Sequence, residues 1–139
     1  MIYSVDIRIT APVNDTEIEA RVTDAIENVF PGAETESKAG EVVAEAHSVE
    51  HFSELLHRQE ILDTARGEFF SGRDGDTLSF DLKKQAAFQG VVNFAVGNPD
   101  ELGELHVRMR VTDPTVEEFV DYVAPPTQDG KPIDTDEGQ

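Results

Sequence analysis

The chain contains no cysteine. Disulfides, thiolate metal sites and cysteine nucleophiles are therefore excluded. No apolar run is long enough to cross a bilayer. No signal peptide precedes the first strand pattern, so a cytoplasmic protein that does not enter membranes is expected. Neither GxxxxGK nor GxGxxG occurs, which argues against a phosphate loop and a nucleotide cofactor. Positive charge is scarce: 11 Lys plus Arg stand against 29 Asp plus Glu, a formal net charge of −18.

That charge lies far beyond the ~2–8 usual for a small soluble domain. At low ionic strength such a surface repels itself and loosens the fold. At molar salt the Debye length falls to about 3 Å and the repulsion largely disappears. A halophilic protein of a salt-accumulating cytosol is expected. Affinity for nucleic acid that comes from neutralising phosphates falls steeply with salt. DNA is therefore not an expected partner, and RNA would have to be held by shape, stacking or a few directed contacts.

What is present suffices for one domain. The chain has 139 residues, of which 38% are hydrophobic. From Ile2 to Thr10 the residues alternate, with Val5, Ile7 and Ile9 opposite Asp6, Arg8 and Thr10, the mark of a half-buried strand. Asn14 and Glu17 resemble a capping box. Ile18, Val22, Ala25, Ile26 and Val29 then follow at helical spacing until Pro31-Gly32. Residues 34–37 and 41–46 read as a hairpin around Lys38-Ala39-Gly40.

The longest helical pattern begins after Ser48, an expected N-cap, and places Phe52, Leu55, Leu62 and Phe69 on one stripe. At about 100° per residue, Gln59 and Arg66 fall inside that stripe. Either the helix breaks near His57–Gln59, or Gln59, Asp63 and Arg66 form a polar network on one face. A turn at residues 72–76 leads to a strand through Leu78, Phe80 and Leu82. Residues 83–88 favour a helical turn, released at Gly90. Val92, Phe94 and Val96 form a strand pattern, followed by an Asn98-Pro99 turn. Leu105, Val107, Met109 and Val111 make the last strand. Asp113-Pro114 reads as a cap with proline in the first helical position. Val116, Phe119, Val120 and Val123 supply that helix's apolar face.

The expected fold is an α+β two-layer sandwich over residues 1–125. It has a mostly antiparallel sheet of four to five strands with about three helices on one face. Residues 126–139 read as an acidic, disordered tail. The clean alternation leaves the other sheet face wet or available to a partner.

Three groups are candidates for chemistry. Arg8, His106, Arg108 and Arg110 lie on the polar sides of two strands. They form either an RNA-contacting patch or cross-strand pairs with Asp6 and Glu104. Lys83, Lys84 and Gln85 follow a strand at a junction where backbone N–H groups are exposed. His47, His51 and Glu54 have metal-like spacing, but Ser48 as cap leaves His47 outside the helix, so no metal is expected. Asp63 has no assignable Ser or His partner, and no catalytic constellation is present.

The runs RQEILDTAR at 58–66, FDLKKQAAFQG at 80–90 and APPTQDGKPI at 124–133 resemble archaeal uncharacterised protein family 0201, its haloarchaeal members above all. The resemblance implies a fold similar to the ribosomal protein that binds large-subunit 5S RNA. It names no functional residue, and Lys83 stands where the family pattern has Asn.

The leading expectation is a non-enzymatic, RNA- or ribosome-associated protein. Arg58, Arg66, Lys83 and Lys84 would contact phosphate or stack on bases, Arg108 and Arg110 would extend the patch, and Gln59 and Gln85 would read polar edges. The alternatives are a homodimer or protein-interaction module joined through the open sheet face, and a small-molecule enzyme around Asp63 and Arg66.

Overall fold

The structure is a computed structural model that describes residues 1–95, 103–128 and 131–132. Its centre is β1 (Ser4–Pro12), whose strict alternation buries Val5, Ile7, Ile9 and Ala11 and leaves Asp6 and Arg8 in solvent. Helix α1 (Glu19–Val29) buries Val22, Ala25, Ile26 and Val29. The Glu17 carboxylate accepts the backbone N–H of Asn14 at 2.9 Å, as half a capping box would. The helix nevertheless starts after Ile18.

The hairpin β2 (Glu34–Lys38) and β3 (Glu41–Ala46) turns at Gly40, whose φ of +77° glycine adopts without strain. The central pattern is two helices, α2 (Glu50–Arg58) and α3 (Leu62–Ser71). Glu60, at φ +57°, turns the chain between them. The break explains how Arg66 escapes the core stripe: its helix starts afresh in a new direction. The expected Ser48 cap is displaced by one residue: Val49 is the N-cap of α2 and no side chain caps it, the Glu50 N–H only reaching back to Ser48 Oγ at 3.4 Å.

The strands β4 (Arg73–Asp74) and β5 (Thr77–Lys83), helix α4 (Lys84–Ala87), strand β6 (Glu104–Asp113) and helix α5 (Val116–Val123) complete the domain. The expected cap of α5 is displaced by two residues. Thr115 Oγ1 accepts the Glu118 N–H at 3.1 Å, while the Asp113-Pro114 bond is cis. Of the strand expected at 92–96, the described residues form only a bridge between Phe94 and Leu82. Val96 and the Asn98-Pro99 turn lie outside the described residues.

The sheet is fully antiparallel, in the order β2-β3-β1-β6-β5-β4. It has six strands, where the sequence suggested four or five. The extra strand is the two-residue β4, too short to show alternation. The helices' buried residues and one sheet face share a single core. Phe30, Phe52, Phe69, Phe80 and Phe94 stack through it, with ring centroids 5.0–6.2 Å apart. Where the sequence suggests a disordered tail, β7 (Thr127–Gln128) and β8 (Lys131–Pro132) pair as a ribbon. Thr127 Oγ1 donates to the Asp63 carboxylate of α3.

Candidate nucleic-acid interface

The polar sides of β1, β3, β5 and β6 form the open sheet face. Strand register sets the order of its side chains. One row runs Glu34, Glu45, Arg8, Arg108, Ser79; the next runs Glu36, Val43, Thr10, His106, Asp81. On the other side of the arginine row, Asp6 faces Arg110, which faces Thr77. Arg8 and Arg108 are thus directly opposite, which places like charges about 5 Å apart at Cβ and is destabilising unless something compensates.

The compensation inside the chain is incomplete. Arg8 lies 3.9 Å from Glu45, and Arg110 lies 3.8 Å from Asp76, both at the loose limit of an ion pair. Arg108 has no ion pair with any carboxylate among the described residues. His47 Nδ1 lies 3.2 Å from Asp6, and His106 Nδ1 lies 2.7 Å from Asp81. Arg8, Arg108, Arg110, Asp6, Glu45 and His47 line an open pocket of about 400 Å³. The alternative of cross-strand ion pairs with Asp6 is not what forms: Asp6 pairs with His47, Arg8 with Glu45, Arg110 with Asp76 and His106 with Asp81.

The other sequence candidates do not join this patch. Arg58 is spent on Glu54 one turn earlier in α2, at 2.8 Å. Gln59 clamps the backbone of Val92 with both ends of its amide, at 2.8 and 2.9 Å, so it is not free to read a base. Arg66 donates to Asp121 at 2.7 Å and to the Ala124 carbonyl at 2.9 Å, tying α3 to α5. Gln59, Asp63 and Arg66 therefore form no common network, because the chain turns between α2 and α3 and each side chain meets a different segment.

Lys84 is fully buried and corrects the expectation of a phosphate-contacting pair with Lys83. Its Nζ donates to the Pro12 carbonyl and, at 2.8 Å, to the Glu17 carboxylate. Lys83 and Gln85 stay at the surface. His51 bonds the Asn28 carbonyl, and no group of metal ligands exists among the described residues.

The comparisons agree with this architecture. A family model described as RNA binding matches residues 6–111, which include Arg8, Arg108 and Arg110. A UPF0201 protein of Methanopyrus kandleri is 39% identical, over 90% of this chain and 87% of its own length.

The chain belongs to the UPF0201 family.

A UPF0200/UPF0201 protein of Archaeoglobus fulgidus is 42% identical over 94% of this chain, which spans only 40% of that relative. A crystal structure of a UPF0201 protein, 41% identical, superposes with a TM-score of 0.82 and covers 92% of this chain and 99% of its own. The UPF0201 protein of Methanococcus jannaschii, 34% identical, gives 0.81 over 93% and 99%. The six-stranded antiparallel α+β fold is thus the UPF0201 fold. No helix among the described residues is long and apolar enough to cross a membrane.

Sequence reasoning gave the open-face arginines their alternation but not their neighbours. It read Glu17 as a cap and missed its bond to Lys84, because nothing local links positions 67 residues apart.

Proposed function

We propose that this UPF0201 chain is a non-enzymatic RNA-associated protein that grips the RNA backbone with its open sheet face. One observation carries the reading: Arg8 stands opposite Arg108, and Arg108 has no carboxylate partner among the described residues. An RNA phosphate between them would relieve the like-charge contact and gain charge-assisted hydrogen bonds from two guanidinium groups. The family model's description as RNA binding supports the same reading.

The finer proposals follow the charge. A net −18 and archaeal relatives support a salt-accumulating archaeal cytosol. There, large-subunit ribosomal RNA is the first partner to try. Asp63 and Arg66, the residues an enzyme would need, are occupied with Thr127, Asp121 and Ala124, which supports a non-catalytic role.

The test is binding of a labelled single-stranded RNA across a potassium chloride series. Three arginine–phosphate contacts give a slope of about −2 in log K against log salt, at roughly 0.7 per contact. Arg108→Gln is expected to weaken all sequences alike and to reduce that slope by about 0.7. Unchanged affinity and slope in the variant would remove RNA from this face. If Arg108→Glu instead abolished a concentration-independent dimer, the face would be a protein interface.

A further inference from the structure

The run FDLKKQAAFQG has a structural consequence that the open face does not use. Lys84 goes inward to Glu17, and Asn28 of α1 donates to the carbonyls of Ala87 and Phe88 at 3.0 and 3.3 Å. These bonds hold α4 against α1 and leave Phe88 half-buried beside it. The Arg21 guanidinium lies over the Phe88 ring, 5.9 Å from its centroid. Thr16, Glu17, Ile18, Arg21 and Phe88 line a groove of about 270 Å³, and a second hollow of about 380 Å³ shares Arg21 and Phe88.

Glu17, one of the residues that line the groove, carries unspent hydrogen-bonding capacity just beneath its surface. The Glu17 side chain is only 7% exposed. Its Oε1 accepts from Lys84 Nζ and from the Asn14 N–H, whereas Oε2 is buried and has no hydrogen-bond partner among the described residues. Buried acceptors are seldom left so, and a donor from a ligand or a water normally completes them. Ile18, 65% exposed, adds an apolar edge to the same groove.

We infer that this groove is a subsite for one unpaired RNA base whose edge presents N–H donors, guanine above the others. The base stacks on the Arg21–Phe88 pair, as unpaired bases stack on aromatic rings and guanidinium planes. Its donors turn toward the Glu17 carboxylate. Guanine offers adjacent imino and amino donors, whereas uracil flanks its single imino donor with two carbonyl oxygens that the carboxylate repels. The inference rests on the RNA reading above and supplies what that reading lacks. Arginine contacts to phosphate position a strand but carry no sequence information. Stacking also loses less than phosphate contact when salt is high, which suits so acidic a chain.

The experiment compares two labelled hexamers, all-uridine and one with a single guanosine replacing a uridine, at molar potassium chloride. Wild-type protein is expected to bind the guanosine hexamer about tenfold more tightly, in line with a hydrogen bond to a carboxylate that uracil cannot make as well. Phe88→Leu and Arg21→Gln, which remove the ring and the guanidinium but leave the Lys84–Glu17 pair intact, are expected to erase that preference. Arg108→Gln is expected to weaken both hexamers and keep the preference. Equal wild-type affinities, or a preference that survives Phe88→Leu and Arg21→Gln, would overturn the subsite while leaving the open-face reading standing. Failure of the wild-type protein to bind either hexamer would overturn both.

Discussion

At the scale of single residues, two polar side chains that look like ligands in the sequence are parts of the scaffold. Lys84 is buried with Glu17, and a buried ion pair that loses one partner leaves an uncompensated charge. Lys84→Met is expected to cost about 3–5 kcal/mol in denaturant unfolding at fixed high salt, and Glu17→Leu in the same chain to recover much of it. Gln59→Leu removes two hydrogen bonds from the Val92 backbone and is expected to cost about 2 kcal/mol. The exposed Gln85→Ala should stay within about 0.5 kcal/mol. Alternation in the sequence showed which sides of β1 and β6 would be wet. It was silent about Lys84, since a lysine after a strand looks the same whether it points to solvent or to a carboxylate from a distant segment. A third site titrates. The Tyr122 hydroxyl donates to both oxygens of Glu50, at 2.8 and 2.7 Å, and the carboxylate pushes its pKa up to about 12. The raised value means that this contact stabilises the fold fully below pH about 10. The contribution is lost as pH rises toward 12. Tyr122→Phe should flatten that alkaline fall in an unfolding-versus-pH series.

At the scale of elements, the most consequential feature is the approach of the α3 C-terminus to β5. Gly72 accepts the Ser79 N–H at 3.1 Å, and a Cβ on Gly72 would collide with the Ser79 carbonyl oxygen. Gly72→Ala therefore has to move backbone. We expect a loss above about 3 kcal/mol, among the larger effects of single substitutions, measured by thermal unfolding. Gly67→Ala, on the same helix with open space around it, is expected to be neutral or mildly stabilising. The sequence made the helices legible through their 3.6-residue spacing. It left the boundary between α2 and α3 as an alternative, because Glu60 is not a residue type that announces a left-handed turn. The ribbon of β7 and β8 escaped pattern reading, and the strand pattern around Phe94 shrank to a bridge, for a related reason. Two-residue pairings are made by tertiary docking, here Gln59 on Val92 and Thr127 on Asp63, rather than by local propensity.

At the scale of the whole molecule, charge dominates. With 29 acidic residues against 11 basic ones, repulsion among acids falls as salt screens it. Thermal stability is expected to rise steadily from dilute buffer to molar potassium chloride, and a flat series would show that the repulsion is of no consequence to the fold. The sequence by itself determined that expectation, along with the α+β class, the apolar side of each long strand and the absence of cysteine chemistry. These properties are sums over residues or follow from periodicities of two and 3.6, so neighbours in sequence contain them. Only the tertiary structure decided which of the few cations meet. Arg8 faces Arg108 because β1 and β6 pair in one register, and a slip of β6 by one residue would have sent Arg108 inward, away from Arg8. Lys84 meets Glu17 because α4 docks on the segment that leads into α1, and Arg66 meets Asp121 because α3 docks on α5. Register and docking are settled by contacts between distant segments, and no local pattern encodes them.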